Sequence, residues 1–218
     1  MQEITEKEFY KGYYANIKHT ENELLTHIKT KIRELNDQSE SKLVEHIVSR
    51  IKSPESAKSK LQLAGYEQTS HNAVSILSDV IGIRLIAHFI SDIYTIRDIL
   101  VGFGDLEVIK EKDYIKNSKP TGYRGYHIII QTHYDGFPIK AEIQIRTIAM
   151  DCWASLEHQI RYKKGIKNTE LIDSELKKCS DDLMSADIAM EQIWSMVQSE
   201  SNLLEDDDPF ENLESIIV

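Results

Sequence analysis

In the run Ile139-Lys140-Ala141-Glu142-Ile143-Gln144-Ile145-Arg146, apolar and polar residues alternate without a break. A period of two is that of a β-strand, so Ile139, Ala141, Ile143 and Ile145 share one face. The other face presents a base, an acid, an amide and a guanidinium in a row. A strand laid against solvent would show the same pattern, so the run fixes an element before it fixes a role. Just upstream, Tyr126–His133 reads as a second strand, joined to the first by a short turn at Asp135-Gly136. Val80–Phe89 and Leu106–Lys110 are further strands. Helical periods fill Pro54–Ala64, Asp92–Val101 and Ile148–Tyr162, the last with Trp153, Leu156 and Ile160 as its apolar stripe. Strands separated by helices in some places and by a turn in another predict a mixed sheet in an α+β layout.

Helices flank this middle region. A long one is expected over Glu6–Asn36, with Tyr14, Ile17, Leu24, Ile28, Ile32 and Leu35 near one face, and a second over Ser39–Val48. From Thr169 to Ser199, Leu176, Cys179, Leu183, Ala186, Met190, Ile193 and Val197 follow a 3-4 alternation like that of a coiled coil. Packing on the protein's own helices and self-association both account for that seam. After Lys178 the chain holds no lysine or arginine, and Glu205-Asp206-Asp207-Asp208 marks an acidic end expected to be disordered.

The 218 residues carry a net charge of −10, which argues against bulk binding of nucleic acid or membranes. Basic residues gather locally instead, at Arg50–Lys60 and Lys110–Arg124, a distribution that suits a small polyanion such as a nucleotide. No apolar run approaches the roughly 18 residues of a membrane span. Met1–Lys11 lacks the basic and then apolar layout of a signal peptide, so a cytosolic protein is expected. The two cysteines, Cys152 and Cys179, show no metal-ligand spacing and read as reduced core thiols. His71, His88, His133 and His158 likewise show no paired metal spacing and read as structural.

Three more segments could carry chemistry. Ser53-Pro54-Glu55 is a helix start, with a capping hydroxyl and proline at the first helical position. Ser56 then lies in the first turn, Lys60 follows four residues on, and Arg50 and Lys52 project together from an extended lead-in. This is a cationic cradle at a helix N-terminus, suited to polyphosphate; a solvated basic helix start would look alike. Asp79 precedes an apolar strand that contains Arg84, and a charge in such a run needs a ligand or an ion-pair partner. Between Lys112 and His127, the cations Lys112, Lys116, Lys119 and Arg124 interleave with Tyr123 and Tyr126 around Pro120, Gly122 and Gly125. Aromatic faces stack on a base while cations meet phosphate, although an exposed basic loop is the plain alternative.

Taken in order, these segments resemble the synthetase domain of the RelA/SpoT family. The matching stretches are Arg50-x-Lys52-x-x-x-Ser56-x-x-x-Lys60, Asp79-x-x-Gly82-x-Arg84, Gly122-Tyr123-Arg124-x-x-His127, and Glu142–Thr147 with Trp153 and Glu157-His158. The length is similar to that of single-domain small alarmone synthetases. The resemblance implies a nucleotidyltransferase-like mixed β-sheet flanked by helices, with helical extensions at both ends. It places N-terminal helices in 1–49, the catalytic core in 50–165, a C-terminal helix for oligomerisation in 166–199 and the acidic tail in 200–218. It implies pyrophosphate transfer from ATP to the 3′-hydroxyl of GDP or GTP, with AMP released, and assembly as a homotetramer.

Residue roles follow from the resemblance. Arg50 and Arg84 would sandwich adenine, and Lys52, Ser56 and Lys60 would hold the ATP phosphates. Asp79 and Glu142 would bind Mg²⁺, with Glu142 also the base on the acceptor hydroxyl. Tyr123 would stack on guanine, while Lys112, Lys119, His127, Gln144, Arg146 and Asp151 would help place the acceptor. Lys112 stands where many relatives have arginine, and Asp151 where asparagine is expected; an aspartate there could accept from guanine N1–H and the 2-amino group. Two other readings share the fold: the same transfer to an adenosine nucleotide or a tRNA 3′ end, and a non-catalytic nucleotide- or RNA-binding regulator. The acidic balance does not support RNA binding, and binding alone does not require both Asp79 and Glu142.

Overall fold

The computed structural model describes residues 4–37, 42–102, 106–134, 136–162 and 169–206. Its centre is one sheet built from β1 (Val44–Ile51), β2 (Ile81–Ala87), β3 (Glu107–Asp113), β4 (Tyr126–Tyr134) and β5 (Phe137–Thr147). The spatial order is β1-β2-β5-β4-β3. Only β2 and β5 run parallel; every other neighbouring pair is antiparallel. A parallel pair needs a long crossover, and the chain supplies one through α5 (Ile90–Gly102), β3 and β4. The mixed α+β sheet predicted from the alternating pattern is the one observed.

One sheet face is the core. Ile81, Ile83, Leu85, Ile128, Ile130, Ala141, Ile143 and Ile145 are all buried, joined by Ile17, Leu24, Ile28 and Ile32 of α2 (Tyr14–Asn36) and Ile93, Ile96 and Leu100 of α5. Each large aliphatic side chain so buried contributes about 1.5–3 kcal/mol before entropy is counted. α3 (Pro54–Leu63) starts as its sequence indicates: the Ser53 side chain accepts from the Ser56 N–H, and Pro54 opens the helix. α6 (Ile148–Tyr162) and α7 (Thr169–Asp206) pack against each other beside the opposite sheet face.

Several expectations are corrected. Residues 44–48, expected to be helical, belong to β1; paired along β2, this β-branched run satisfies its backbone as a sheet edge, and tertiary pairing overrides local propensity. Residues 39–41 of that expected helix lie outside the described residues. The single N-terminal helix is broken into α1 (Glu6–Tyr10), a 3₁₀ turn and α2, with Lys11 at φ 49° beside Gly12. The break lets Phe9 and Tyr10 turn inward and become buried. A short helix, α4 (Ser70–Ile76), capped by Thr69, was not anticipated. Asp135 of the expected turn lies outside the described residues, though Tyr134 pairs with Phe137 across it.

The C-terminal helix continues to Asp206, past the expected start of a disordered tail; residues 207–218 lie outside the described set. Of the expected seam, Leu176 is buried, but Cys179, Met190, Ile193 and Val197 face outward. Both cysteines are exposed rather than core thiols. Of the apolar stripe expected on α6, Trp153 is buried, but Leu156 and Ile160 are exposed.

Candidate active site

Register places the polar residues. Cross-strand partners share a face, and Arg50 pairs with Gly82, Gly82 with Glu142, Arg84 with Gln144, Gln144 with His127 and His127 with Lys112. With a period of two, Arg50, Arg84, Glu142, Gln144, Arg146, His127 and Lys112 form one row across all five strands, opposite the apolar face.

Two adjoining cavities lie along that row. The first, about 190 Å³, is lined by Arg50, Lys52, Asp79, Arg84, Glu142 and Gln144, among others. Asp79 and Glu142, distant in sequence, therefore face one cleft. Asp79 Oδ2 accepts from Lys52 Nζ at 2.8 Å and meets Lys60 Nζ at 3.0 Å. Burial pushes the Asp79 carboxyl up, but the two ammonium groups outweigh it and the net shift is downward. Its other oxygen, Oδ1, is buried with no hydrogen-bond partner among the described residues. Below the cleft, Tyr10 Oη donates to the Lys52 carbonyl at 2.8 Å, and the Lys52 N–H donates to the Val80 carbonyl at 2.8 Å. Tyr10 was missed by sequence reasoning, because nothing local ties a tyrosine near the N-terminus to a loop 42 residues on.

The second cavity, about 410 Å³, shares Arg50, Arg84 and Gln144 with the first and adds Tyr123, Arg146, Ser155, Glu157, His158 and Gln159. A hydrogen-bonded chain runs along its floor. Tyr123 Oη donates to His127 Nε2, and His127 Nδ1 donates to Glu142 Oε1 at 3.1 Å. Gln144 Nε2 donates to Glu142 Oε2 at 2.8 Å. Arg146 Nη2 donates to Tyr123 Oη and Gln144 Oε1, and Arg146 Nη1 to Asp151 Oδ1 at 2.9 Å. Burial lowers the His127 pKa despite the carboxylate beside it, so the ring is neutral at pH 7. Burial opposes the charge on Glu142, yet hydrogen bonds from His127 and Gln144 and the nearby Lys112 charge hold its pKa well below the usual carboxylate range. Lys119 lies over the rings of Tyr114 and Tyr123, 4.7 and 4.8 Å from their centroids.

α7 holds the loop that carries Tyr123. Ser180 Oγ donates to the Gly122 carbonyl, Arg124 Nη2 donates to Asp181 at 3.0 Å, and Trp153 Nε1 donates to the Leu176 carbonyl at 2.8 Å. Gly122 has φ +94°, and a Cβ there would lie 3.0 Å from Ser180 Cβ and 3.1 Å from Lys177 Cα. Further along, Thr147 Oγ1 donates to Asp187 at 2.6 Å, and Trp194 stacks on Phe89 with centroids 5.4 Å apart.

Of the residues singled out in the sequence, Arg50, Lys52, Asp79, Arg84, Glu142, Gln144, Arg146 and Tyr123 line the two cavities, and Lys60, His127 and Asp151 touch them through ion pairs or hydrogen bonds. Ser56, Lys112 and Lys119 line neither cavity. Ser56 is engaged in the Ser53 cap, Lys112 lies in register with His127, and Lys119 caps the two tyrosines. Ser155, Glu157 and Gln159 were not anticipated as lining residues; on a helix, polar residues near a pocket read like any solvated face.

The model of the region found in RelA and SpoT proteins matches residues 49–167, which contain every one of these sequence-predicted site residues. The chain belongs to the RelA/SpoT family. Among its relatives, GTP pyrophosphokinase YwaC of Bacillus subtilis is 45% identical over 143 residues, covering 63% of this chain and 68% of that protein. A GTP pyrophosphokinase family protein from Streptococcus pneumoniae has the same fold, with TM-score 0.77, 28% identity and coverage of 89% of this chain and 97% of that one. The small alarmone synthetase 1 of Bacillus subtilis, solved bound to its product pppGpp, aligns with TM-score 0.76 and 27% identity over 87% of this chain and 98% of its own. The family match stops short of α7, whereas the likeness in fold spans nearly the whole of these single-domain members.

Proposed function

We propose that this chain is a (p)ppGpp synthetase that transfers the β,γ-pyrophosphate of ATP to the 3′-hydroxyl of GDP or GTP. The observation that carries the reading is the meeting of Asp79 and Glu142 in one cleft with Arg50, Lys52 and Arg84, directly beside a second cavity walled by Tyr123, Gln144 and Arg146. Two adjoining sites, one with a metal-competent acid pair, are what a reaction between two nucleotides needs.

In this reading Arg50 and Arg84 hold adenine, while Lys52, Lys60 and Ser56 at the start of α3 meet the phosphates. Tyr123, Lys119, His127, Gln144 and Arg146 place the acceptor, with Lys112 adding positive charge behind His127. The 3′-oxygen attacks the β-phosphorus, the bond from the bridging oxygen to that phosphorus breaks, AMP leaves, and the hydroxyl proton passes to the Glu142 carboxylate. Asp79 and Glu142 would hold Mg²⁺, which neutralises charge on the transferring phosphates. The donor set fits that ion: two ionised carboxylates suffice where phosphate oxygens complete the shell, and Asp79 Oδ1 is buried without a hydrogen-bond partner among the described residues. Residues 50–165 form the catalytic unit in this proposal.

Self-association and place of action belong to the same reading. Met190, Ile193, Met196 and Val197 expose an apolar strip on α7, which supports assembly through this helix, with a tetramer as the expected form. Among the described residues no helix is long and apolar enough to cross a membrane; the nucleotide substrates of this reading fit action in the cytoplasm.

The direct test is release of AMP from labelled ATP across a panel of acceptors. AMP and a 3′-pyrophosphorylated product should form with GDP or GTP only. Transfer to adenosine nucleotides or tRNA instead would replace the acceptor assignment, and no transfer to any acceptor would remove the enzymatic one. Glu142→Gln should lower kcat by about 10²–10⁴-fold while the protein still binds ATP.

A further inference from the structure

We propose that Asp151, on the first turn of α6, is a positioning residue for the ATP side of the site rather than a reader of guanine; this rests on the function proposed above. Its place on the acceptor-side helix makes it look like an acceptor contact. Its contacts point elsewhere. Asp151 Oδ1 meets Arg84 Nη1 at 3.1 Å and Arg146 Nη1 at 2.9 Å. The two arginines depend on it unequally. Arg146 also donates to Gln144 and Tyr123, so it is held from three sides. Arg84 has Asp151 as its one polar partner among the described residues, while the Nε of each arginine is buried with no acceptor among them.

Arg84 also stands in a repulsive setting. Burial and the charges of Arg146 and Arg50 all work against its guanidinium, and Asp151 is the carboxylate that opposes them. Arg50 and Arg84 wall both cavities, so the plane of the Arg84 guanidinium decides whether a base can lie against it. A flat cation serves as a stacking platform only if its orientation is fixed beforehand. Asp151 supplies that orientation from the first turn of α6, where the helix dipole favours an anion. Without it, Arg84 would swing away from Arg146 and Arg50, and the adenine platform would be lost.

The test uses the full chain and a non-hydrolysable ATP analogue, titrated calorimetrically with no acceptor present. Asp151→Asn, which keeps the shape but removes the charge, should weaken analogue binding by about tenfold. Asp151→Glu, which restores the charge, should recover most of it. In the AMP-release assay the preference for guanine over adenine acceptors should stay within about twofold for both variants. A purely structural role would lower the thermal midpoint of both variants alike without the affinity split between them. Analogue affinity unchanged in Asp151→Asn, or guanine preference lost with donor affinity intact, would overturn the inference and leave the proposed function standing. Failure of the unsubstituted chain to bind the analogue would overturn both.

Discussion

Glu142 shows how one side chain is prepared for its task. Both of its oxygens accept hydrogen bonds, from His127 and Gln144, and the carboxyl pKa is drawn down to about 2. As the proposed base, so weak a carboxylate would take the proton only late, which suits a loose transition state in which the attacking hydroxyl gains little charge early. In the proposed reaction, no acid limb from Glu142 should then appear in kcat between about pH 6 and 8. On the alkaline side, burial and the Lys112 charge lower the Lys119 pKa. Acceptor kcat/KM should fall at a pH below the usual lysine range of about 10.4, and Lys119→Met should abolish that limb in a pH–rate profile. Linkage gives the sign for stability. Asp79 and Glu142 have folded pKa values below their ordinary 3.8 and 4.5, so their contribution is present above those values and is lost as pH falls through the folded ones. His127, lowered from 6.5, acts in the same direction in a higher window: urea midpoints should begin to fall once pH drops below about 6.5, and His127→Gln should flatten the first part of that fall.

At the scale of elements, α7 and α1 act on the site from outside the core sheet. The inner stripe of α7 runs Leu176, Ser180, Asp187, Glu191 and Trp194, and its polar members bond to Gly122, Thr147 and the Ser91 N–H. A helix held by polar contacts hides its packed face from a hydrophobicity reading, so the apolar stripe one position round was read as the seam. Gly122→Ala tests the clamp. It introduces a Cβ at a left-handed backbone position, within 3.1 Å of the α7 backbone. We expect a loss of about 1–3 kcal/mol in denaturant unfolding and a raised KM for GDP with the KM for ATP little changed. Tyr10→Phe tests the other end. It keeps the buried ring but removes the hydrogen bond to the Lys52 carbonyl, and should cost about 1 kcal/mol of stability while raising the KM for ATP rather than for GDP.

For the whole molecule, the exposed apolar residues of α7 are the feature that bears on assembly. Met190 is 58% exposed and Ile193 54%, on a helix 38 residues long. An apolar strip of that kind supports the self-association proposed above. The double substitution Met190→Glu and Ile193→Glu should shift the mass seen by light scattering from oligomer to monomer. Because the opposite face of the same helix holds Gly122 and Arg124, acceptor KM should change as the assembly dissociates. Unchanged mass would remove α7 from the interface.

Alternation determined β5, whose polar face repeats every two residues, while β2 and β4 were legible as short, β-branched apolar runs bounded by turn residues. Spacing likewise made the cationic start of α3 and the Tyr123 loop legible, since caps, prolines and glycines act within a few residues. Residues 44–48 were misread because an edge strand is decided by the partner it pairs with, here β2, and that partner lies more than 30 positions away in the chain. The convergence of Asp79 with Glu142, the grip of Asp151 on Arg84 and the support of Tyr10 under Lys52 were likewise decided by tertiary structure. Each depends on a register or crossover between distant segments, and local sequence carries the chemistry of a side chain but not the distance to its partner.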